Sequence, residues 1–492
     1  MNKAVRTLTI ASLPLLLASC AWLEPKLTLP KIAPPAEFNG GGVSSTMGFI
    51  SPTEVGSWQV AQARVAEPRG NWWEIYNDPQ LNALMDDALA NSPSLQVMAA
   101  RVKQARAQAG IADSAFYPLV YADGGVNRQK LAPANLQQSD NTHFKPITTY
   151  NVGLNASYEI DLFGRISGES RQARFQSIAQ KDLYESAKLS LQADVVQAYF
   201  ATRTNSAVLA DISETLSLAE TNLALTKKQY DIGDISSQNY QQTVADLMNL
   251  RNDALSIQQQ RMAAQNRLNL LLGKMPGSVV VSDTSPLTAL PPMIPAGVPA
   301  SLLQRRPDVA AAENQLAAAN ASIGVARAAF FPSISLTGNA GYAAQDASNL
   351  FKSNTSTWAV GPTVTLPIFQ GATNLNNLRL SWGVYEEGVA NYKQQVLAAF
   401  SDVDDALNAH RISMEQASGQ EQAAAELEKT LAMAEKQYQI GDISQLELIT
   451  AKQQTLATRI NAQQALLNAY TASAQLVRAL GGGWEDQKAA QK

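Results

Sequence analysis

The longest regular pattern in the chain is a spacing of three or four residues between apolar side chains, which occupies two blocks without proline. All 22 prolines lie outside the segments 147–275 and 368–492. Because a proline inside a helix costs about 3 kcal/mol, both blocks are predicted to be helical. The spaced positions include Leu209, Ile212, Leu216, Ala219 and Leu223 in the first block, and Val389, Tyr392, Val396, Phe400, Val403, Leu407, His410 and Met414 in the second. This spacing is typical of coiled coils.

Each helical block is broken once, and the two breaks have related sequences. The first covers 229–236 and the second covers 437–444. Gly233 and Gly441 suit the left-handed residue that follows a helix, and the serine that ends each break suits the N-cap of the next helix. The pattern therefore predicts two helical hairpins. A first helix over about 166–231 would be roughly 98 Å long.

Shorter stretches alternate polar and apolar residues and predict two pairs of strands. They lie at 121–129 and 150–161 around a polar loop, and at 333–342 and 358–369 around a second one. Strands of about ten residues have the length that a tilted membrane-crossing strand requires. The alternative is two ordinary hairpins on a soluble domain. Four strands are too few to close a barrel, and open edges cannot face lipid. Membrane strands would therefore have to be pooled by several chains.

The two halves of the chain repeat one plan. Gly233 and Gly441 are 208 residues apart, and Gly273 and Gly481 are separated by the same distance. Other matched pairs are Phe116-Tyr117-Pro118 with Phe330-Phe331-Pro332, 214 apart, and Leu162-Phe163 with Ile368-Phe369, 206 apart. Offsets that drift by a few residues are what a duplication with small loop changes leaves.

This repeat divides the chain into segments. The first repeat covers 71–275, with a strand pair at about 117–161 and a helical hairpin at about 166–273. A linker or equatorial segment follows at 276–305. The second repeat covers 306–483, with a strand pair at about 332–369 and a hairpin at about 372–480, and a C-terminal tail occupies 484–492.

The amino-acid composition excludes several classes of function. The chain of 492 residues has 46% hydrophobic and 16% charged residues and a net charge of −4, so no basic stripe is available for nucleic acid. A single cysteine excludes an internal disulfide and a cysteine-based zinc site. Two histidines, His143 and His410, form no catalytic or metal constellation. We therefore expect neither an enzyme nor a bound metal or other cofactor, apart from a covalent lipid.

The N-terminus explains the single cysteine. Lys3 and Arg6 precede a short apolar stretch, as in an export signal over 1–19. Leu17-Ala18-Ser19-Cys20 resembles the bacterial lipobox, which implies that Cys20 carries the lipid of a mature lipoprotein. An ordinary secretory signal that ends near a cysteine is the alternative. Residues 20–70, rich in proline, glycine and serine up to about residue 56, are predicted to form a tether.

In their order and spacing, several motifs over about 70–483 are similar to those of the outer membrane efflux proteins, in the lipoprotein branch of that family. The motifs are Trp72-Trp73, Asp78-Pro79 with Leu81, the two aromatic-proline triplets above, Asp161-Leu162-Phe163-Gly164-Arg165, Pro367-Ile368-Phe369-Gln370-Gly371 and Arg305-Arg306-Pro307-Asp308. Each motif is weak alone, and their common order is what carries the resemblance.

The resemblance implies an α-dominated fold with a membrane β-barrel. The expected assembly is a homotrimer whose twelve-stranded β-barrel in the outer membrane continues into a twelve-helix α-barrel across the periplasm, with a small mixed α/β equatorial region. The implied partners are outer-membrane lipid, a periplasmic adaptor protein and an inner-membrane pump that drives transport.

The resemblance also assigns the periplasmic gate and the adaptor contacts to the hairpin tips. The residues concerned are Tyr230, Asp231, Gly233, Asp234, Tyr438, Gly441, Asp442 and Glu447. In a trimer the tip carboxylates would repeat as rings, which attract cations and hold a constriction. The alternative is that these aspartates are solvated turn and cap residues. Relatives often carry an aspartate nine residues after the second glycine, where this chain has Thr450. Glu447 is the substitute that we consider there.

The main functional hypothesis is a passive outer-membrane exit duct for drugs or other toxic small molecules. One alternative is a lipid-anchored periplasmic coiled-coil adaptor or scaffold without a pore. Another is the same duct serving type I protein secretion. Duplicated strand pairs favour the duct over the scaffold.

Overall fold

The computed structural model describes residues 23–30, 70–130, 145–281, 285–292, 294 and 306–482. The helices are α1 (Pro79–Asn91), α2 (Pro93–Ser114), α3 (Arg165–Asp231), α4 (Ser237–Leu271), α5 (Pro307–Ala328), α6 (Thr373–Gln439) and α7 (Gln445–Ala479). The strands are β1 (Leu119–Gln129), β2 (Ile147–Ile160), β3 (Ser333–Ala344) and β4 (Ser356–Thr365). Short 3₁₀ turns cover Trp72–Tyr76, Ala347–Asn349 and Ser353–Thr355.

The predicted helical hairpins are present and are copies of each other. The helices α3 and α6 have 67 residues each, and α4 and α7 have 35 each. Both ends of α3 and α4 coincide with those of α6 and α7 after a shift of 208 positions. At 1.5 Å per residue, each of the two longer helices extends for about 100 Å. Within the described residues, no helix is both long and apolar enough to cross a membrane.

The four strands form one antiparallel sheet in the order β1-β2-β3-β4. Within each repeat the two strands pair as a hairpin, and the repeats join where β2 pairs with β3. In this register Tyr121 lies opposite Asn155, which lies opposite Asn339. The sheet therefore leaves β1 and β4 at its two edges.

The chain divides into two compact units that cut across the sequence repeats. One unit contains 1–30, 103–179 and 312–392, and the strands belong to it. The other contains 31–102, 180–311 and 393–492, and it includes the helical hairpins except for 165–179 of α3 and 373–392 of α6. Each repeat thus supplies strands to one unit and most of a hairpin to the other. The predicted segments 71–275 and 306–483 describe the duplication of the sequence and are not themselves the compact units.

An aromatic cluster lies in the core of the helical unit. The ring of Phe200 on α3 lies 4.3 Å from that of Tyr470 on α7 and 5.2 Å from that of Tyr76, measured between centroids. Burial raises the pKa of Tyr76, whose hydroxyl lies 2.7 Å from that of Ser473. The edge-to-face geometry of Tyr76 and Phe200 adds to the energy of burial. The 3₁₀ turn that precedes α1 is thereby packed against both repeats.

The linker between the repeats is attached to α7 by side-chain hydrogen bonds. The amide of Gln463 accepts the backbone N–H of Leu287 and donates to its carbonyl, both at 2.9 Å. The hydroxyl of Tyr470 donates to the carbonyl of Ala289 at 3.2 Å. These bonds satisfy backbone groups of Leu287 and Ala289, which lie outside the helices and strands.

We predict that Gly273→Ala destabilises the helical unit. Gly273 has φ +70°, and an added Cβ would lie 2.6 Å from the carbonyl oxygen of Asn91. The left-handed backbone alone costs a residue with a Cβ about 1–2 kcal/mol. Thermal unfolding in detergent, followed by circular dichroism, should show a lower midpoint for this variant.

Gly110→Ala is the matched control for this prediction. Gly110 lies inside α2, and an added Cβ would meet nothing within 4 Å. Helix propensity alone should raise stability there by roughly 0.5–1 kcal/mol. Equal midpoints for the two variants would contradict the assigned geometry of Gly273.

Candidate functional site

The turn between α3 and α4 closes with a left-handed glycine. Gly233 has φ +79°, its N–H donates to the carbonyl of Tyr230 at 3.0 Å, and the N–H of Asp234 donates to that of Gln229 at 2.9 Å. This pair of bonds is a Schellman motif, which satisfies carbonyls left open at a helix end. Ser236 then caps α4, because its hydroxyl accepts the N–H of Asn239 at 3.2 Å. Residues 229–236 form what we call the first turn.

The turn between α6 and α7 has the same backbone and a stronger cap. Gly441 has φ +80°, and its N–H and that of Asp442 make the equivalent bonds, at 3.0 and 2.9 Å. Ser444 accepts the N–H of Glu447 at 3.2 Å, and the carboxylate of Glu447 accepts the N–H of Ser444 at 2.7 Å. This reciprocal pair is a capping box. Residues 437–444 are the second turn.

Three of the predicted tip side chains have partners within their own hairpin. Asp231 accepts from the ammonium of Lys227 at 3.2 Å. The ring of Tyr230 stacks on that of Tyr240 with centroids 5.2 Å apart and planes 10° apart. Glu447 is engaged in the capping box described above. The structure thus gives Asp231, Tyr230 and Glu447 local structural contacts, whatever further role they have.

Thr450, which the sequence analysis singled out beside Glu447, makes a bond within its helix. Its hydroxyl donates to the carbonyl of Leu446 at 2.9 Å. His410 is buried, and burial lowers the pKa of its imidazole. Cys20 and His143 lie outside the residues that the structure describes.

The tips carry one feature that the sequence analysis did not single out. Ile232 and Ile440 are each 80% exposed, directly before the two turn glycines. An apolar side chain this open at the same place in both repeats is suited to contact another protein. The signal was present in the sequence, since both breaks contain isoleucine before glycine.

The sheet has one apolar and one polar face, which its register identifies. Side chains of cross-strand partners point to the same side, and neighbours along a strand alternate. One face carries the exposed apolar residues Val120, Val126, Val152, Leu154, Ile160, Leu336, Tyr342, Trp358, Val360 and Val364, with Arg128, Thr148 and Ser356 as polar exceptions at its loop end. The opposite face carries Asp123, Asn151, Asn155, Ser157, Thr337, Asn339 and Thr363, with Leu119, Tyr121 and Ile147 as apolar exceptions.

Polar side chains on the second face bond to one another. The carboxylate of Asp123 on β1 accepts from the amide of Asn151 at 3.3 Å and from the amide of Asn155. Both asparagines lie on β2. This face is therefore suited to water, whereas exposed aliphatic and aromatic side chains predominate on the apolar face.

The described N-terminal residues are attached beside α5 and the start of α3. Glu24 forms an ion pair with Arg171 at 2.7 Å, and its carboxylate accepts from the amide of Asn320 at 3.2 Å. Arg327 donates to the carbonyl of Leu23 at 3.0 Å. An added Cβ on Gly324 would lie 3.2 Å from the Cβ of Glu24, so a small residue is suited to this contact. The chain is thus held in place only three residues after Cys20.

Comparison with known proteins gives one consistent family. Residues 84–274 and 298–482 match the model of the family described as outer membrane efflux protein. The chain is 33% identical over 497 aligned positions to the probable efflux pump outer membrane protein TtgC of Pseudomonas putida, covering 99% of this chain and 97% of that protein. It is 34% identical over 421 positions to the cation efflux system protein CusC of Escherichia coli, covering 84% and 88%.

A solved structure agrees with this result. The CmeC outer membrane channel of Campylobacter jejuni superposes with a TM-score of 0.81 at 25% identity. The superposition covers 95% of this chain and 97% of that one. The strand pairs and helical hairpins described above therefore belong to a known architecture.

We predict that Glu447→Gln loosens the second turn. The bond from the backbone N–H of Ser444 holds the pKa of Glu447 below its usual range. A carboxyl group whose pKa is lowered in the folded protein stabilises the fold at pH values above the ordinary carboxyl pKa. This stabilisation is lost as the pH falls through the lowered pKa. Hydrogen exchange of a peptide covering 440–450 should therefore become a few-fold faster in the variant at neutral pH, because the charge-assisted bond is lost.

The first turn supplies an internal control for this measurement. Its cap lacks a carboxylate, since Asn239 stands where Glu447 does. Exchange of a peptide covering 232–242 should not change in the same sample. Unchanged exchange in both peptides at neutral pH would contradict a stabilising role for the Glu447 carboxylate.

Proposed function

The chain belongs to the outer membrane efflux protein family, and we propose that it is the outer-membrane exit duct of a tripartite pump for toxic small molecules. The observation that carries the proposal is the two-faced four-stranded sheet attached to duplicated long hairpins. Membership of this family favours the duct over the pore-free scaffold that the sequence left open. Transport would be driven by an inner-membrane pump through a periplasmic adaptor, and the substrates would be drugs or similar toxic molecules.

The proposed assembly is a homotrimer with a twelve-stranded β-barrel and a twelve-helix α-barrel. Its support is the hydrogen-bonding requirement of the sheet edges. Lipid contains no water to satisfy the backbone groups of β1 and β4, so the edges must be joined if the strands enter a membrane. Four strands are half of the smallest useful barrel, whereas three copies supply twelve. An even strand number is also usual in such barrels.

The two faces of the sheet support this orientation. The apolar face would contact lipid, and the polar face with Asp123, Asn151 and Asn155 would line a water-filled path. Strands β1 to β4 have 10 to 14 residues, which is sufficient for a strand tilted by about 45° to cross the hydrocarbon core. The exposed aromatic residues Tyr342 and Trp358 lie near the loop end of the strands, where an aromatic belt is usual.

The tip residues remain the proposed gate and adaptor contact. The set consists of Tyr230, Asp231, Gly233, Asp234, Tyr438, Gly441, Asp442 and Glu447, to which we add Ile232 and Ile440 because of their exposure. The two glycines would shape the turns, and the isoleucines would supply apolar contact. The local partners of Asp231 and Glu447 reduce their suitability for a gate that depends on free carboxylates.

The proposed lipid on Cys20 is consistent with the attachment of residues 23–30. Acyl chains contribute about 0.8 kcal/mol for each buried methylene, so they would hold the N-terminus at the membrane. The contacts of Glu24 with Arg171 and Asn320 would fix where the lipidated end leaves the folded chain.

We predict that Leu336→Arg impairs assembly in the outer membrane and that Thr337→Arg does not. Leu336 lies on the apolar face and Thr337 on the polar face of the same strand. An arginine facing lipid costs about 2–4 kcal/mol at the bilayer midplane and less towards the bilayer surfaces. Membrane fractionation and protease resistance should show less inserted protein for Leu336→Arg. Equal insertion of both variants would argue against a lipid-facing apolar side.

We predict that Ile232→Asp combined with Ile440→Asp abolishes efflux without loss of the folded channel. In a strain deleted for this gene, the wild-type chain should restore resistance to a panel of toxic compounds, and the variant should not. Ile232→Val combined with Ile440→Val is the matched control, since it keeps apolar tips. Full resistance with the aspartate variant would rule out an apolar tip contact, and no sensitivity in the deletion strain would count against efflux itself.

A further inference from the structure

The polar face of the sheet carries very little charge. The register places the odd-numbered residues of all four strands on this face. Within these strand positions the charged side chains are Asp123 and Glu159, and there is no lysine or arginine. The carboxylate of Glu159 forms an ion pair with the guanidinium of Arg165 at 2.7 Å. Asp123 therefore gives this part of the face its net negative charge.

Two asparagines hold the carboxylate of Asp123 in place. Asn151 and Asn155 lie on β2, on either side of Gly153, which is the cross-strand partner of Asp123. The amide of Asn151 donates to one carboxylate oxygen at 3.3 Å, and the amide of Asn155 donates to the other. Because an ionised carboxylate only accepts hydrogen bonds, both asparagines present their NH₂ groups to it. The carboxylate is thus fixed at one place on the sheet.

The positions beside Asp123 on the next two strands have no side chains. Gly153 lies opposite Asp123, and Gly341 lies opposite Gly153. An added Cβ on Gly153 would lie 3.7 Å from a carboxylate oxygen of Asp123, and one on Gly341 would clash with the carbonyl oxygen of Val152. Asp123 itself is exposed. The fixed carboxylate is therefore open to the solvent that faces this side of the sheet.

In the proposed trimer this carboxylate would occur three times at one level of the water-filled path. Fixed negative charges on a wall of low dielectric constant raise the local concentration of cations and lower that of anions. The distance over which they act is the Debye length, which is about 10 Å at 0.1 M salt and about 30 Å at 0.01 M. Their effect on passing solutes is therefore largest at low ionic strength.

We propose that Asp123 gives the duct a preference for cationic over anionic solutes where they cross the sheet. This inference rests on the barrel in the proposed function and deepens it by naming a class of solute, small organic and inorganic cations. Asp123 acts on their passage through its charge and is not a tight binding site. The carboxylates of the hairpin tips belong to the other compact unit, so the contribution of Asp123 is separate from theirs.

A purely structural role for Asp123 has a different consequence. Its bonds to Asn151 and Asn155 join β1 to β2, and a role of this kind depends on the position of the side chain. A selectivity role depends instead on the charge of the face. Asn127 lies two residues along β1 on the same face, opposite Thr149, and is a position to which the charge can be moved.

Reversal potentials of the full-length protein in planar bilayers test the proposal. With potassium chloride at about 0.01 M on one side and about 0.1 M on the other, screening is weak enough for the charge to act. Asp123→Asn should lower the ratio of potassium to chloride permeability by roughly two- to fivefold, because the carboxylate charge is lost. The difference from the wild-type chain should shrink as salt is raised on both sides. Asp123→Ser is a second variant, in case the first does not fold.

Two further variants serve as matched controls. Asp123→Asn combined with Asn127→Asp keeps the number of carboxylates and moves the charge along the same face, so it should restore the permeability ratio. Thr337→Asn exchanges one neutral polar side chain for another on this face and should leave the ratio unchanged.

The outcomes distinguish this inference from the proposed function. Channels with the same permeability ratio with and without the Asp123 carboxylate would overturn the inference and leave the duct intact. A ratio that falls in Asp123→Asn and is not restored by the moved charge would also overturn it, since Asp123 would then act through its strand contacts. A wild-type protein that forms no channel would overturn the duct itself. A lowered ratio that the moved charge restores would support the inference.

Discussion

The contact between α3 and α7 is the interaction on which the helical unit depends. It joins the two repeats through the aromatic rings of Phe200 and Tyr470 and the ion pair of Asp211 with Arg459. The 3₁₀ turn before α1 packs on the same rings, and the linker bonds to α7 through Gln463. Long helices with so few charged residues depend on packing against other helices for their stability, because helix propensity alone contributes little.

Duplication explains which contacts between strands and between helices form within one chain, and which strand and helix surfaces stay exposed. In the sheet, β2 and β3 join the repeats and leave β1 and β4 as edges. In the helical unit, α3 and α7 join the repeats and leave α4 and α6 at the ends. A two-fold repeat in an open arrangement always has one contact between its halves and one unused copy of that contact. This is the physical reason why such a chain is suited to a closed ring of several copies.

The tips illustrate how structural and functional roles overlap. The glycines and serines of both turns are explained by helix ends alone, and Glu447 is explained by its capping box. Ile232 and Ile440, by contrast, carry apolar side chains at positions that are 80% exposed. A docking role is therefore better supported for the isoleucines than for the carboxylates.

Local chemistry made much of this protein predictable from its sequence. Proline-free blocks, the two glycine turns and period-two alternation predicted the hairpins and strands to within a few residues, because these signals act between neighbours along the chain. The faces of the sheet, and the contrast between the buried Tyr470 and the exposed Met262, required the tertiary structure. These depend on which segments meet across hundreds of residues, and two repeats with similar sequences differ there only because one of them has a neighbour within the chain.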